Sequence, residues 1–339
     1  MAILEPWVML RLIAGVVSLA LFARASITSA RVLRHFNVSR ASEGQLALER
    51  RVELARAFVR VGAAVQVASL VLTMLAADKL SHGVRGAMCA YGVFRANEWG
   101  FPALAMSASA AVAAGVLLQL FALDGKVRGL DLVKPLSWAT LVVAPLVAAD
   151  LFLSARFLFG LDLGVVASCC SVELDPGAAT TAGYAQGPRI LASGGAVVSI
   201  IACIGVSWLA SRRPRAGLVV LAGALGALAL PFALGASVLE VAPHVFETPH
   251  HRCPFCLLHG DVMGIGYVLY GAMFLAMVWG LGAALAALTA RGEAARAAFG
   301  AFARGRMRAE AVAWSIALAV GVLPVVRYVI VANGASLFR

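Results

Sequence analysis

The stretch PWVMLRLIAGVVSLALFA, residues 6–23, decides the fold, because it reads either as a cleaved export signal or as a first membrane span. Small residues (Ser29, Ala30) follow the apolar core, as in a signal peptide. The residues after it argue the other way. Arg24, Arg31, Arg34, Arg40, Arg50, Arg51, Arg56 and Arg60 follow in close succession, and a segment this basic resists export. Residues 6–23 are therefore expected to span a membrane, with the short N-terminus outside and a basic loop, 24–59, in the cytoplasm. Arg11 lies near one end of the span, where its long side chain can snorkel to the interface. Ser42 to Phe58 is expected to be a surface helix, from its Ser-x-x-Gln start and the apolar positions Leu46, Leu48 and Leu54.

The rest of the chain repeats that alternation. Further spans are expected at about 60–77, 101–122, 135–155, 189–210, 216–238, 262–289 and 311–331. Of 339 residues, 62% are hydrophobic and 13% charged, against about half and about a quarter in soluble domains. The mean hydropathy is +0.90. No segment between spans is long enough to be a separate soluble domain. The fold class is all-α: a polytopic integral membrane bundle of eight helices in one transmembrane domain over residues 1–339, N-terminus and C-terminus outside.

The net charge of +11 raises the question of nucleic acid, but its distribution excludes that class. Nineteen of the 28 Lys and Arg residues fall in the four loops read as cytoplasmic, seven fall in segments outside, and Arg11 and Arg327 lie within spans. This is the positive-inside pattern of an inner (plasma) membrane protein embedded in lipid. The outer loops are then 78–100, 156–188 and 239–261. Five of the six cysteines fall in them: Cys89, Cys169, Cys170, Cys253 and Cys256. Cysteines gathered on the oxidising side suit disulfides or metal binding. Cys203 lies within a span and reads as a small packing residue. Asp150 near a span end reads as exposed or paired with Arg156, and His244 and His82 read as solvated loop residues.

Chemistry is concentrated in HVFETPHHRCPFCLLHGDVMGIG, residues 244–266. Four histidines and two cysteines occupy the first sixteen of those residues. Cys253-Pro-Phe-Cys256 can close a small disulfide ring or chelate one metal ion. Pro254 suits the first position of a helix, and with Cys253 as cap both sulfurs would sit in the positive field of a helix N-terminus. Asp261 is a competing cap. The spacing His250-x-x-Cys253-x-x-Cys256-x-x-His259 is close to a helical period, so His250, His251, His259, Cys253 and Cys256 form a candidate ligand set for zinc or copper. It lacks the histidine directly after the second cysteine that haem attachment needs. A disulfide between the adjacent Cys169 and Cys170 would close a strained ring, so a bridge from one of them to Cys89 or Cys253 is the structural alternative.

A CxxC at the mouth of a membrane helix resembles the quinone-linked membrane thiol oxidases, the DsbB-like and VKOR-like families. The likeness rests on Cys253-Pro-Phe-Cys256 leading into Leu257 and an apolar helix, with further cysteines in other outer loops. It implies that Cys253 and Cys256 are the quinone-proximal pair, Cys253 as the attacking or charge-transfer thiol and Cys256 as its resolving partner. It implies that Cys169 and Cys170, or Cys89 with one of them, shuttle electrons from an extracytoplasmic thioredoxin-like partner. Arg252 would stabilise a quinone anion or thiolate. Adjacent cysteines also resemble those of mercury transport proteins.

The leading expectation is a membrane thiol–disulfide oxidoreductase linked to a quinone. The second is a protein that binds or transports copper, zinc or mercury. The third is a structural subunit of a membrane complex whose outer loops are stapled by disulfides.

Overall fold

A computed structural model describes residues 4–36, 43–127, 130–162, 164 and 186–338. Cys169 and Cys170 lie outside the described residues. Among the described residues the secondary structure is helical, with no strand. Among the described residues eight helices are long and apolar enough to cross a membrane. The chain is an all-helical, multi-pass membrane protein.

In chain order the helices are α1 (Pro6–His35), α2 (Glu43–Ser81), the short α3 (Ala90–Arg95), α4 (Gly100–Asp124), α5 (Val133–Phe159), α6 (Gln186–Arg212) and α7 (Ala216–Ala236). A π-helical turn (Ser237–Val241) joins α7 to α8 (Ala242–Val245), and these three pieces count as one span. Then follow α9 (Ile265–Thr289) and α10 (Glu293–Val331).

Three boundaries differ from the sequence expectation. Helix α1 continues through Arg24, Arg31 and Arg34, expected to lie in the basic loop, and ends at His35. The surface helix and the second span are one 39-residue helix, α2. The basic segment after α9 and the last span are likewise one 39-residue helix, α10. Each of these last two is about 58 Å long at 1.5 Å per residue, well beyond a hydrocarbon core of about 30 Å. The reason is local. Ala, Leu, Glu and Arg dominate the basic portions, and all are strong helix formers with no proline to interrupt the ladder. Polarity changes along these helices while the backbone continues.

The chain forms two compact units, Met1–Ala167 with Leu285–Phe302, and Ser168–Ala284 with Ala303–Arg339. In the first unit α1, α2, α4 and α5 pack around a buried polar knot. Arg11 is fully buried and makes two 2.7 Å contacts from Nη2 to both oxygens of Asp150. Its Nε donates to Thr73 Oγ1 at 2.6 Å, and Nη2 also reaches Ser154 at 2.8 Å. Gln66 donates to Asp150 at 2.6 Å, and Ser107 donates to it as well. Each of the four long helices thus contributes a group to one charge pair.

This corrects two readings. Arg11 turns inward to a carboxylate instead of snorkelling, and Asp150 pairs with Arg11 instead of Arg156. Arg156 lies over the Trp99 ring at 5.3 Å. Gly15, one turn beyond Arg11, makes room for the knot: a Cβ there would stand 2.9 Å from Arg11 Nη1. Ser18 donates to the carbonyl of Gly62 at 3.1 Å, which marks a close approach of α1 to α2. At the other end of this unit Arg56 pairs with Asp124 at 3.1 Å, and Asp131 accepts from the backbone N–H of Ala295 in the first turn of α10.

In the second unit α6 lies along α7, and the core contains Ile200, Ala229, Leu257, Leu269, Met273, Trp314 and Ala317. Glycines set the closest approaches. A Cβ on Gly223 would meet the Gly280 carbonyl at 2.8 Å, so α7 and α9 touch backbone to backbone there.

Removing one partner of a buried ion pair leaves an uncompensated charge, whereas replacing both does not. Asp150→Leu and Arg11→Met are each expected to destabilise the protein by about 3–5 kcal/mol. The double variant is expected to recover much of that loss. Thermal unfolding in detergent, arranged as a double-mutant cycle, measures it.

Candidate functional site

The His/Cys stretch joins α8 to α9 within the second unit, and it is built as a folded plug. After α8 the chain turns through Glu247 in the left-handed region (φ 52°), and the Thr248 N–H bonds back to the Pro243 carbonyl at 3.1 Å. The His251 N–H bonds to the Thr248 carbonyl at 3.1 Å, and the His251 ring stacks on Phe246 with centroids 4.0 Å apart. Cys256–Leu258 is a single 3-10 turn capped by Phe255, and Gly260–Val262 is a second such turn. Met263 (φ 54°) and Gly264 (φ 59°) then reverse the chain into α9. The Gly264 N–H closes the reversal on the His259 carbonyl at 3.0 Å.

Leu257 holds the plug in place. Its side chain is fully buried in the unit's core beside Leu269 and Met273. Gly266 passes so close that a Cβ on it would stand 2.9 Å from the Leu257 carbonyl oxygen. On the other side the Tyr270 hydroxyl donates to the carbonyl of Pro254 at 3.1 Å. One of the two residues between the cysteines, Pro254, is therefore tied directly to a membrane-spanning helix.

The structure brings Cys253 and Cys256 together. Both are thiols, and their sulfurs lie within 4.8 Å of one another. His250, His251 and His259 do not join them in a ligand group. The helical spacing that would align them is not realised, because residues 250–255 are not helical. Cys253 is fully buried and Cys256 partly exposed. Neither sulfur caps a membrane helix, since α9 begins at Ile265, and so neither lies in the positive field of that helix's N-terminus. His250 is exposed, and His259 and Arg252 are partly exposed. Cys89 belongs to the first unit, where it is the N-cap of α3 and fully buried.

Two features of the second unit escaped the sequence reading. His244 is buried, not solvated. Its Nδ1 lies 2.7 Å from the Glu240 carbonyl, and its ring meets Tyr328 and Phe338 edge-on at 5.4 and 5.5 Å. Glu240, in the π-helical turn, pairs with Arg189 at 3.1 Å, and the Arg189 guanidinium lies over Phe338 at 4.1 Å. The signal available in the sequence was an Arg and a Glu at the ends of apolar runs, which snorkelling explains equally well.

The second feature is an apolar cavity of about 200 Å³ among α6, α7, α9 and α10. Ile200, Ala233, Val241, Leu269, Met273 and Leu318 are among the residues that line it, with Glu240 and Ser193 as polar members. It shares Leu269 and Met273 with the core that anchors Leu257.

The fold and the cysteine plug together define a class, a multi-pass helical membrane protein presenting a close dithiol in the segment that joins two spans. Comparison with known proteins adds no narrower identity. No family model, no curated protein and no solved structure matches the chain.

Burial sets which sulfur a reagent reaches first. Brief maleimide treatment of the native protein is expected to label Cys256 well before Cys253. Tyr270→Phe removes the tie to Pro254, at a cost of about 1 kcal/mol, and should narrow that difference. Peptide mapping by mass spectrometry after timed quenching reads both rates.

Proposed function

We propose that this protein is a membrane thiol–disulfide oxidoreductase whose working pair is Cys253 and Cys256. The observation that carries the reading is two thiols within 4.8 Å, one fully buried and one partly exposed, on a plug anchored to a membrane helix. A pair that only staples a loop has no need of that asymmetry. A pair that passes electrons between an aqueous partner and an acceptor in the bilayer does. Cys256 is the sulfur open to a thioredoxin-like protein on the extracytoplasmic side. Cys253 faces inward as the charge-transfer thiol. Cys169 with Cys170, or Cys89 with one of them, is the pair proposed to relay electrons, and Arg252 is proposed to steady a thiolate.

In the oxidising step each thiol gives up its hydrogen and one S–S bond forms between Cys253 and Cys256. A quinone, when bound, would take up the two electrons and two protons and leave as quinol. The apolar cavity beside Leu269 and Met273 fits such a group, with Glu240 at its edge as a polar contact. The partner's dithiol then reduces the S–S bond by exchange, leaving the partner oxidised and the Cys253–Cys256 pair as thiols again.

The close sulfur pair also supports a second reading, a site for a soft ion such as zinc or copper. One set of measurements separates the two. The full chain is purified in detergent, equilibrated in thiol redox buffers of stepped potential, and trapped with a maleimide. The redox reading expects Cys253 and Cys256 to lose reactivity together over a single two-electron transition, and Cys253→Ser to abolish it. Thiols blocked at every potential, with one zinc or copper per chain that Cys253→Ser removes, would instead establish the metal site.

A further inference from the structure

The second unit holds a carboxyl group that the thiol chemistry does not use. Glu310, in α10, is fully buried. Ser207 donates to its Oε2 at 3.0 Å, and the Cys203 thiol lies 3.6 Å from Oε1. Both partners sit on α6 and both are neutral. Arg306 is one turn earlier on the same helix, yet the contacts to the carboxyl oxygens come from the hydroxyl and the thiol. Asp150 in the first unit makes the contrast: it has a guanidinium bonded to both oxygens, and Glu310 has none among the described residues.

Space for the Glu310 head comes from glycine. A Cβ on Gly280 of α9 would collide with its carboxyl, and a Cβ on Gly226 of α7 would stand 3.0 Å from Oε1. The same Gly226 position lies 3.3 Å from the indole nitrogen of Trp314. Trp314 is fully buried, and among the described residues its N–H has no hydrogen-bond partner. An unbonded buried N–H is costly and calls for an explanation. Here it borders the same glycine-lined gap as the carboxyl, one helical turn along α10.

We propose that Glu310, with Ser207, Cys203 and Trp314, forms a proton-binding site within the membrane-spanning part of the second unit. The donor set selects the ligand. A metal cation needs several oxygen acceptors, whereas the groups converging here are an O–H, an S–H and an N–H. They suit a carboxyl that exists as the acid in an apolar interior and becomes an anion when it gives up its proton. In the anionic state the indole N–H supplies the extra donor that a buried charge requires. An ionisable side chain kept inside a membrane bundle without a countercharge is a mark of proton handling.

An apolar carbodiimide, dicyclohexylcarbodiimide, tests this on the intact protein in membranes. The acid's O–H adds across one C=N bond of the reagent, its proton going to nitrogen and the carboxyl oxygen to carbon. The acyl group then migrates to nitrogen as a stable N-acylurea. A carboxylate lacks the proton that this addition consumes. Glu310 is expected to carry the adduct at least about tenfold above Asp150, the ion-paired carboxyl that serves as internal control. A water-soluble carbodiimide should not reach it, and Glu310→Gln should remove the adduct from that peptide. Equal labelling of Glu310 and Asp150, or an unlabelled Glu310 while other carboxyls react, would overturn the proposal. The ratio is read on the wild-type chain, so it decides the matter even if the Gln variant fails to fold.

Discussion

The first unit is organised by the pairing of Arg11 with Asp150. Two unit charges removed from water are expensive, and the bilayer core offers no solvent to compensate them. The structure meets much of that cost with hydrogen bonds. Asp150 receives hydrogen bonds from Arg11, Gln66 and Ser107, and Arg11 also donates to Thr73 and Ser154, while its Nη1 has no partner among the described residues. Because these groups come from α1, α2, α4 and α5, the pair fixes the rotation of every long helix around it. Apolar packing between membrane helices is permissive, since lipid tails compete equally well for the same surfaces. A buried ion pair tolerates no such slippage. The small residues Gly15 and Gly62 then follow as requirements, because larger ones would push α1 off the knot.

The second unit achieves its order differently. Its helices are rich in Gly and Ala and approach backbone to backbone, as at Gly223 and Gly280. Upon them sits a connecting segment that is more rigid than its length suggests. Leu257 is driven into the core by the hydrophobic effect, and Gly266 leaves the space it needs. Tyr270 fixes the peptide between the cysteines. The cysteine pair therefore inherits its position from membrane helices, which is the support a precise dithiol needs. Glu310 occupies another part of the same unit and is surrounded by neutral donors, so the two units treat buried carboxyls in opposite ways.

Some of this was legible before any coordinates. Eight spans followed from hydropathy, because a helix must satisfy its own backbone in lipid and needs about twenty apolar residues to cross. The concentration of chemistry in residues 244–266 was also visible, as was the closeness of Cys253 and Cys256, since two intervening residues keep the sulfurs near each other in most conformations. Helix ends were not legible at α2 and α10. Arg-rich and Ala-rich segments are helical whether or not lipid surrounds them, so the polar boundary and the helix boundary fell in different places.

What the sequence determined by itself is what depends on local chemistry: the helical class, the number of crossings and the presence of a dithiol in a short connecting segment. Tertiary structure alone decided the partners. Arg11 and Asp150 are 139 residues apart, and each could have snorkelled or found a nearer mate. The helical spacing of His250, Cys253, Cys256 and His259 suggested a mixed ligand face, yet two 3-10 turns and a left-handed reversal broke that period and left a cysteine pair without histidine. Glu310 gave no local sign of being buried beside Cys203 and Ser207. Pairing of this kind depends on which helix faces meet, and that is settled by the fit of all the faces at once, which no single stretch of sequence contains.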